Sequence, residues 1–192
     1  MVDDLPELRF ERVSDFYQWA EELAGRPDVK CGLGVSRSGA GRFTAADYKD
    51  LALTVIGVAA SMPDVFRRDM FRQVAGFGSE EARASLATRI ADILGAVPEA
   101  SGKQRGQLCR LAGVAILTAK ATVGRLKNRP TLEWYAFALG MKRQSLDDAG
   151  WRVLIREAEA MVMDVYDAGQ RQFKAALEQR GLWESAVIKT AV

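Results

Sequence analysis

Apolar residues recur at helical spacing through most of the chain, and five prolines with few long β-branched runs favour helix throughout. Phe16, Trp19, Ala20 and Leu23 form a first stripe. Ser14 is placed to cap that helix, and Gly25 and Pro27 to end it. Tyr48, Leu51, Val55 and Ala59 define a second helix, opened by Thr44 and Asp47 in the manner of a capping box. Pro63 stands where a first helical position belongs, followed by Phe66, Met70, Phe71 and Val74 until Gly76 and Gly78 break the run. Ser79 then caps Ala82, Leu86, Ile90 and Leu94, with Ile93 widening the stripe and Gly95 and Pro98 stopping it. A long amphipathic helix starts at Trp151 and carries Leu154, Ala158, Met161, Val162, Val165 and Tyr166 on to Phe173, Ala176 and Leu177. Gly169 is a candidate kink, Gly181 the end, Trp183 a residue that folds back, and residues 184–192 a loosely held tail. The pattern predicts an all-α fold, a helical bundle with a helix-turn-helix region. An N-terminal helical region, 1–98, contains the glycine-rich loop 25–42; a basic region, 99–192, ends in the long helix.

Two segments fit a helix-turn-helix template, in which a small residue sits where the helices cross and the turn tolerates φ > 0. In TLEWYAFALGMKRQSLDDAGW, from Thr131 to Trp151, Gly140 is the turn residue and Ala136 the small one. Tyr135, Leu139, Met141, Leu146 and Ala149 seal the angle, and Thr131 is the N-cap. The second helix, beginning near Lys142, would turn Lys142, Arg143, Gln144 and Ser145 outward, a set able to grip phosphate and read base edges. Asp147 and Asp148 share that arc and oppose a phosphate backbone. An ordinary helical hairpin uses the same packing without touching DNA. In the earlier segment Gly113 is the turn residue, Cys109 the small one, and Leu108, Ala112, Val114, Ala119 and Thr122 the seal, Thr122 being a poor fit.

Charge sharpens this picture. The chain carries 27 basic and 25 acidic residues for a formal net charge of +2. Between Ser101 and Leu132, however, lie Lys103, Arg105, Arg110, Lys120, Arg125, Lys127 and Arg129 with no acid, a window of +7 against −5 elsewhere. Such a zone is the footprint of a polyanion binder, or else a basic solvated face. The glycine-rich stretch from Gly25 to Arg42 lacks the Gly-Lys-Ser/Thr ending of a phosphate loop, so it reads as a linker, or as a loop that orders on a polyanion through Lys30, Arg37 and Arg42. The chain has no histidine, which excludes Ser-His-Asp and Cys-His catalysis and histidine-ligated zinc. Cys31 and Cys109 stand far apart, so neither a disulfide framework nor a zinc cluster is implied. No apolar run reaches membrane-spanning length, and the charged start MVDDLPELRFERV has no signal-like apolar core; a cytoplasmic protein with no cofactor follows.

The segment PTLEWYAFALGMKRQSL, with the helix IREAEAMVMDVYD that follows, resembles the helix-turn-helix region of phage terminase small subunits. It covers about a fifth of the chain. The resemblance implies a DNA-recognition component of a viral packaging motor, with Lys142, Arg143, Gln144 and Ser145 on DNA and the next helix in oligomerisation. The combined expectation is a non-enzymatic DNA-binding protein of a phage or other mobile element. Arg105, Arg110, Lys120, Arg125, Lys127 and Arg129 would contact phosphates of double-stranded DNA, and the chain would work as a homo-oligomer or as a subunit of a larger assembly. One alternative is an all-helical small subunit that grips nucleic-acid backbone without reading bases, as small subunits of CRISPR effector complexes do. Another is a helical adaptor or inhibitor that binds a protein.

Overall fold

In the computed structural model the described residues are 10–25, 45–126, 130–148 and 150–183, and every regular element among them is a helix. They divide between two compact units, residues 1–63 with 170–192 and residues 64–169. Residues 26–42 of the glycine-rich loop, Cys31 among them, and Thr44, Lys127, Arg129, Ala149 and the tail lie outside the described residues.

In the first unit α1 (Val13–Ala24) packs on α2 (Ala45–Ala60). The N-cap of α1 is Arg12, with extended φ, and not Ser14. The Arg12 guanidinium donates to Asp15 at 3.0 and 2.6 Å, while Ser14 is buried with its Oγ unpartnered. Phe16, Tyr17, Ala20 and Leu23 line the buried face of α1, and Tyr48, Ala52, Val55, Val58 and Ala59 that of α2. The chain re-enters this unit within the last helix, α8 (Trp151–Glu178), whose Phe173 meets the Tyr17 ring edge-on at 5.6 Å. Gly181, at φ 66°, closes α8 as Leu182 N–H reaches back to the Leu177 carbonyl. That reversal brings Trp183 to 6.2 Å from Phe16, the fold-back expected of it.

The second unit holds α3 (Val65–Ala75), α4 (Glu80–Leu94), a 3-10 turn at Pro98–Ala100, α5 (Arg105–Val123), α6 (Leu132–Leu139), α7 (Ser145–Asp148) and the start of α8. Asp64 caps α3 by accepting the Arg67 N–H, so Pro63 stands one residue ahead of the cap. Ser79 caps α4 by accepting from Ala82, as expected. Leu86, Ala87, Ile90, Ala91 and Leu94 are buried, but Ile93 points to solvent and does not widen the stripe. No division falls at Pro98: α4 and α5, on either side of it, pack together within one unit.

Helix α5 is central, packing on α3, α4 and α6, and it buries residues on nearly every side. Gly113 lies in its middle, so the earlier helix-turn-helix candidate is a single 19-residue helix. A glycine costs a helix interior about 1 kcal/mol. Burial of Leu111, Ala112, Val114, Ala115 and Ile116 around it outweighs that cost several-fold. Gly169 likewise does not break α8. A Cβ there would stand 2.5 Å from the Arg67 carbonyl oxygen and 3.0 Å from Phe71 Cβ, so glycine is what lets α8 lie directly on α3. One helical turn earlier, Tyr166 stacks on Phe71 at 6.1 Å. No helix among the described residues is long and apolar enough to cross a membrane.

Candidate nucleic-acid interface

The corner expected at Gly140 exists. Thr131 is the extended N-cap of α6, and its carbonyl accepts the Trp134 N–H at 2.9 Å. Gly140 takes φ 68°, ψ 32°, its N–H reaching the Phe137 carbonyl while Met141 N–H reaches Ala136, the paired bonds of a Schellman closure. Tyr135, Ala136, Leu139 and Leu146 are buried, as the template required, and Met141 is half-buried. The second helix departs from expectation. Residues 142–144 form a turn, in which the Lys142 carbonyl accepts from Ser145 and the Arg143 carbonyl from Leu146, so α7 begins at Ser145 and spans four residues. Gly150, at φ 70°, then turns the chain into α8. Leu146 anchors this turn in the core, and Trp151, buried beneath the Lys103 ammonium at 5.0 Å, fixes the start of α8.

A polar knot sets the rotation of α6 about its axis. The Tyr135 hydroxyl donates to Glu159 Oε1 of α8 at 2.8 Å and lies 3.2 Å from Thr118 Oγ1 of α5. Burial pushes that hydroxyl above the usual tyrosine range, so it stays a proton donor to the carboxylate. With Tyr135, Ala136 and Leu139 facing in, Glu133, Trp134 and Phe137 face out.

The basic residues fall into distinct groups. Arg105 forms a bidentate pair with Asp92 of α4, at 2.7 and 3.0 Å. That contact holds the Asp92 carboxyl below its ordinary range, and the guanidinium is matched by a charge that lies outside the acid-free window. Lys120 is half-buried; its ammonium donates to the Gly76 carbonyl at 2.8 Å, the open C-terminal end of α3, and lies 6.0 Å from the Phe77 ring centre. Arg110 and Arg125 are exposed, as are Lys142, Arg143 and Gln144, while Ser145 is half-buried at the head of α7. Arg143 pairs loosely with Glu133 at 3.3 Å, both side chains more than half exposed. Lys127 and Arg129 lie outside the described residues. Arg105, Arg110, Arg125, Lys142, Arg143 and Gln144 are therefore all exposed, Arg105 being matched by Asp92 and Arg143 by Glu133, while Lys120 is held half-buried by a backbone carbonyl.

Arg125 has a conformational signature that sequence reading missed. It adopts φ 53°, the single described non-glycine residue with positive φ. Its N–H bonds the Thr122 carbonyl and Leu126 N–H bonds Ala121, so Arg125 fills the C-terminal closing position that glycine prefers. The outward pair Trp134 and Phe137 was also missed, although both fall outside the template's sealing positions and so had no inward role. No protein-family model matches this chain, and neither does any curated protein or solved structure.

Proposed function

We propose that this chain is a non-enzymatic nucleic-acid-binding protein in which residues 64–169 grip the phosphate backbone through Arg110, Arg125, Lys142 and Arg143, with Gln144 adding a hydrogen bond. The observation that carries this reading is the 32-residue acid-free window, whose helix α5 and its end expose Arg110 and Arg125, joined beyond the window by the exposed Lys142 and Arg143 of the turn after α6. A backbone-led grip suits the shortness of α7, because a four-residue helix offers one turn to a groove that usually takes a recognition helix of several. The matching test is a titration of random duplex and single-stranded DNA over a salt series. Binding should weaken steeply with salt, with a log–log slope of roughly −0.9 per phosphate contacted on duplex. Failure to bind either form at low salt would overturn the proposal.

A second reading, sequence recognition by residues 142–145 as in terminase small subunits or other phage regulators, draws on the left-handed Gly140 corner, the steric hallmark of a helix-turn-helix. The same assay separates the two. Enrichment of a site from a random pool that then outcompetes bulk duplex by 10³-fold or more supports base reading, whereas a backbone binder shows little discrimination.

A further inference from the structure

Isolated apolar side chains on a protein surface need no explanation, but two large aromatic rings side by side on one short helix do. Helix α6 is held by its inner arc, with Tyr135 tied to Glu159 and Thr118, so its outer arc is not free to roll inward. At 100° per residue Glu133, Phe137 and Trp134 share an arc of about 100° on that outer side. Phe137 is 89% exposed and Trp134 58%, whereas the chain's other tryptophans are buried or half-buried.

The charge around this patch indicates what could cover it. The described residues that flank the patch in sequence carry Arg125, Lys142 and Arg143, against Glu133 within it and Asp147 and Asp148 just after. Arg143 reaches Glu133, which stands next to Trp134 in sequence and one turn before Phe137, so its guanidinium belongs to the same outer face and offsets that carboxylate. Exposed rings with a guanidinium on the same face match a strand of unpaired nucleotides, which presents flat π-faces and phosphates together. A duplex keeps its base faces inside the stack and cannot use the rings. Resting on the nucleic-acid reading above, we infer that Trp134 and Phe137 form a stacking platform for unpaired bases, with Lys142 and Arg143 holding the adjoining phosphates. The preferred ligand is then a single strand, or a duplex with a single-stranded segment.

The experiment uses the full chain and three probes: a thymidine oligomer of about 16 nucleotides, the same phosphate backbone without bases, and a blunt duplex. The thymidine oligomer should bind at least about tenfold tighter than the abasic strand and should quench tryptophan emission. In the Trp134→Ala/Phe137→Ala chain that preference should disappear, with a loss of roughly 10- to 100-fold. The salt slope should stay put, since stacking releases no counterions. Trp134→Phe, which keeps a ring, should retain most of the affinity. The doubly substituted chain binding the thymidine oligomer like the parent, with salt-dependent duplex binding intact, would sink the platform and leave the backbone grip standing. Absence of binding to all three probes would remove both. A fall in native mass on the double substitution would identify the face as a contact between copies of this chain and likewise overturn the platform.

Discussion

Arg125 closes α5 at φ 53°, where an L-residue pays about 1 kcal/mol that glycine would not. Gly124 stands immediately before it, so the conformationally permissive residue is one position away from where the backbone needs it. Strained positions persist where the side chain serves something else, and an exposed guanidinium at the end of the basic helix is a candidate for such service. Arg125→Gly should therefore raise stability by about 0.5–1 kcal/mol in a urea melt and flatten the salt slope of DNA binding by roughly 1. Higher stability with unchanged binding would remove Arg125 from the interface. The sequence marked Arg125 as a cation but not its conformation, because a positive φ at arginine leaves no compositional trace. Gly140 was legible, because a glycine between two apolar runs is where a left-handed turn belongs.

Helices with a one-sided apolar stripe were readable as elements, and their ends were readable wherever a short polar side chain or a glycine marks them, as at Ser79 and Gly181. What sequence could not reveal was the use of glycines that are not turns. Gly113 looked like a corner, yet it is an ordinary interior position of α5 that a Cβ would not crowd. Gly169 looked like a kink, yet it is a point where α8 approaches α3 too closely for a Cβ. For Gly169→Ala two effects compete. Alanine improves helix propensity by about 1 kcal/mol, while its methyl would meet the Arg67 carbonyl oxygen at 2.5 Å, a backbone atom that cannot swing aside. Overpacking of this kind costs typically 1–3 kcal/mol. The clash should win, lowering the unfolding midpoint, and a midpoint that rose would mean that α8 shifts off α3 at little cost. The length of α7 was illegible for a different reason: Lys142, Arg143 and Gln144 suit the first turn of a helix as well as they suit the turn they form ahead of Ser145.

For the molecule as a whole, the +7 window overstated the free cationic surface, because acid-free along the chain is not acid-free in space. Asp92 is thirteen residues from Arg105 in sequence and in bidentate contact with it after folding, and Lys120 is drawn to a backbone carbonyl of α3. This predicts that removing one acid should free a surface cation from its partner. Acidifying the solution is a poor way to do it. Arg105 holds the Asp92 carboxyl below its ordinary value of 3.8, so the pair persists at any pH above that value and is lost only as pH falls through the lowered one. Asp92→Asn achieves the change at neutral pH. Both partners are more than half exposed, so the pair contributes little to stability and the melting temperature should barely move. DNA binding should tighten at low salt, and its log–log slope should steepen by up to about 0.9, the signature of one further phosphate contact. An unchanged slope would place Arg105 away from the bound strand and confine the grip to Arg110, Arg125 and the turn after α6.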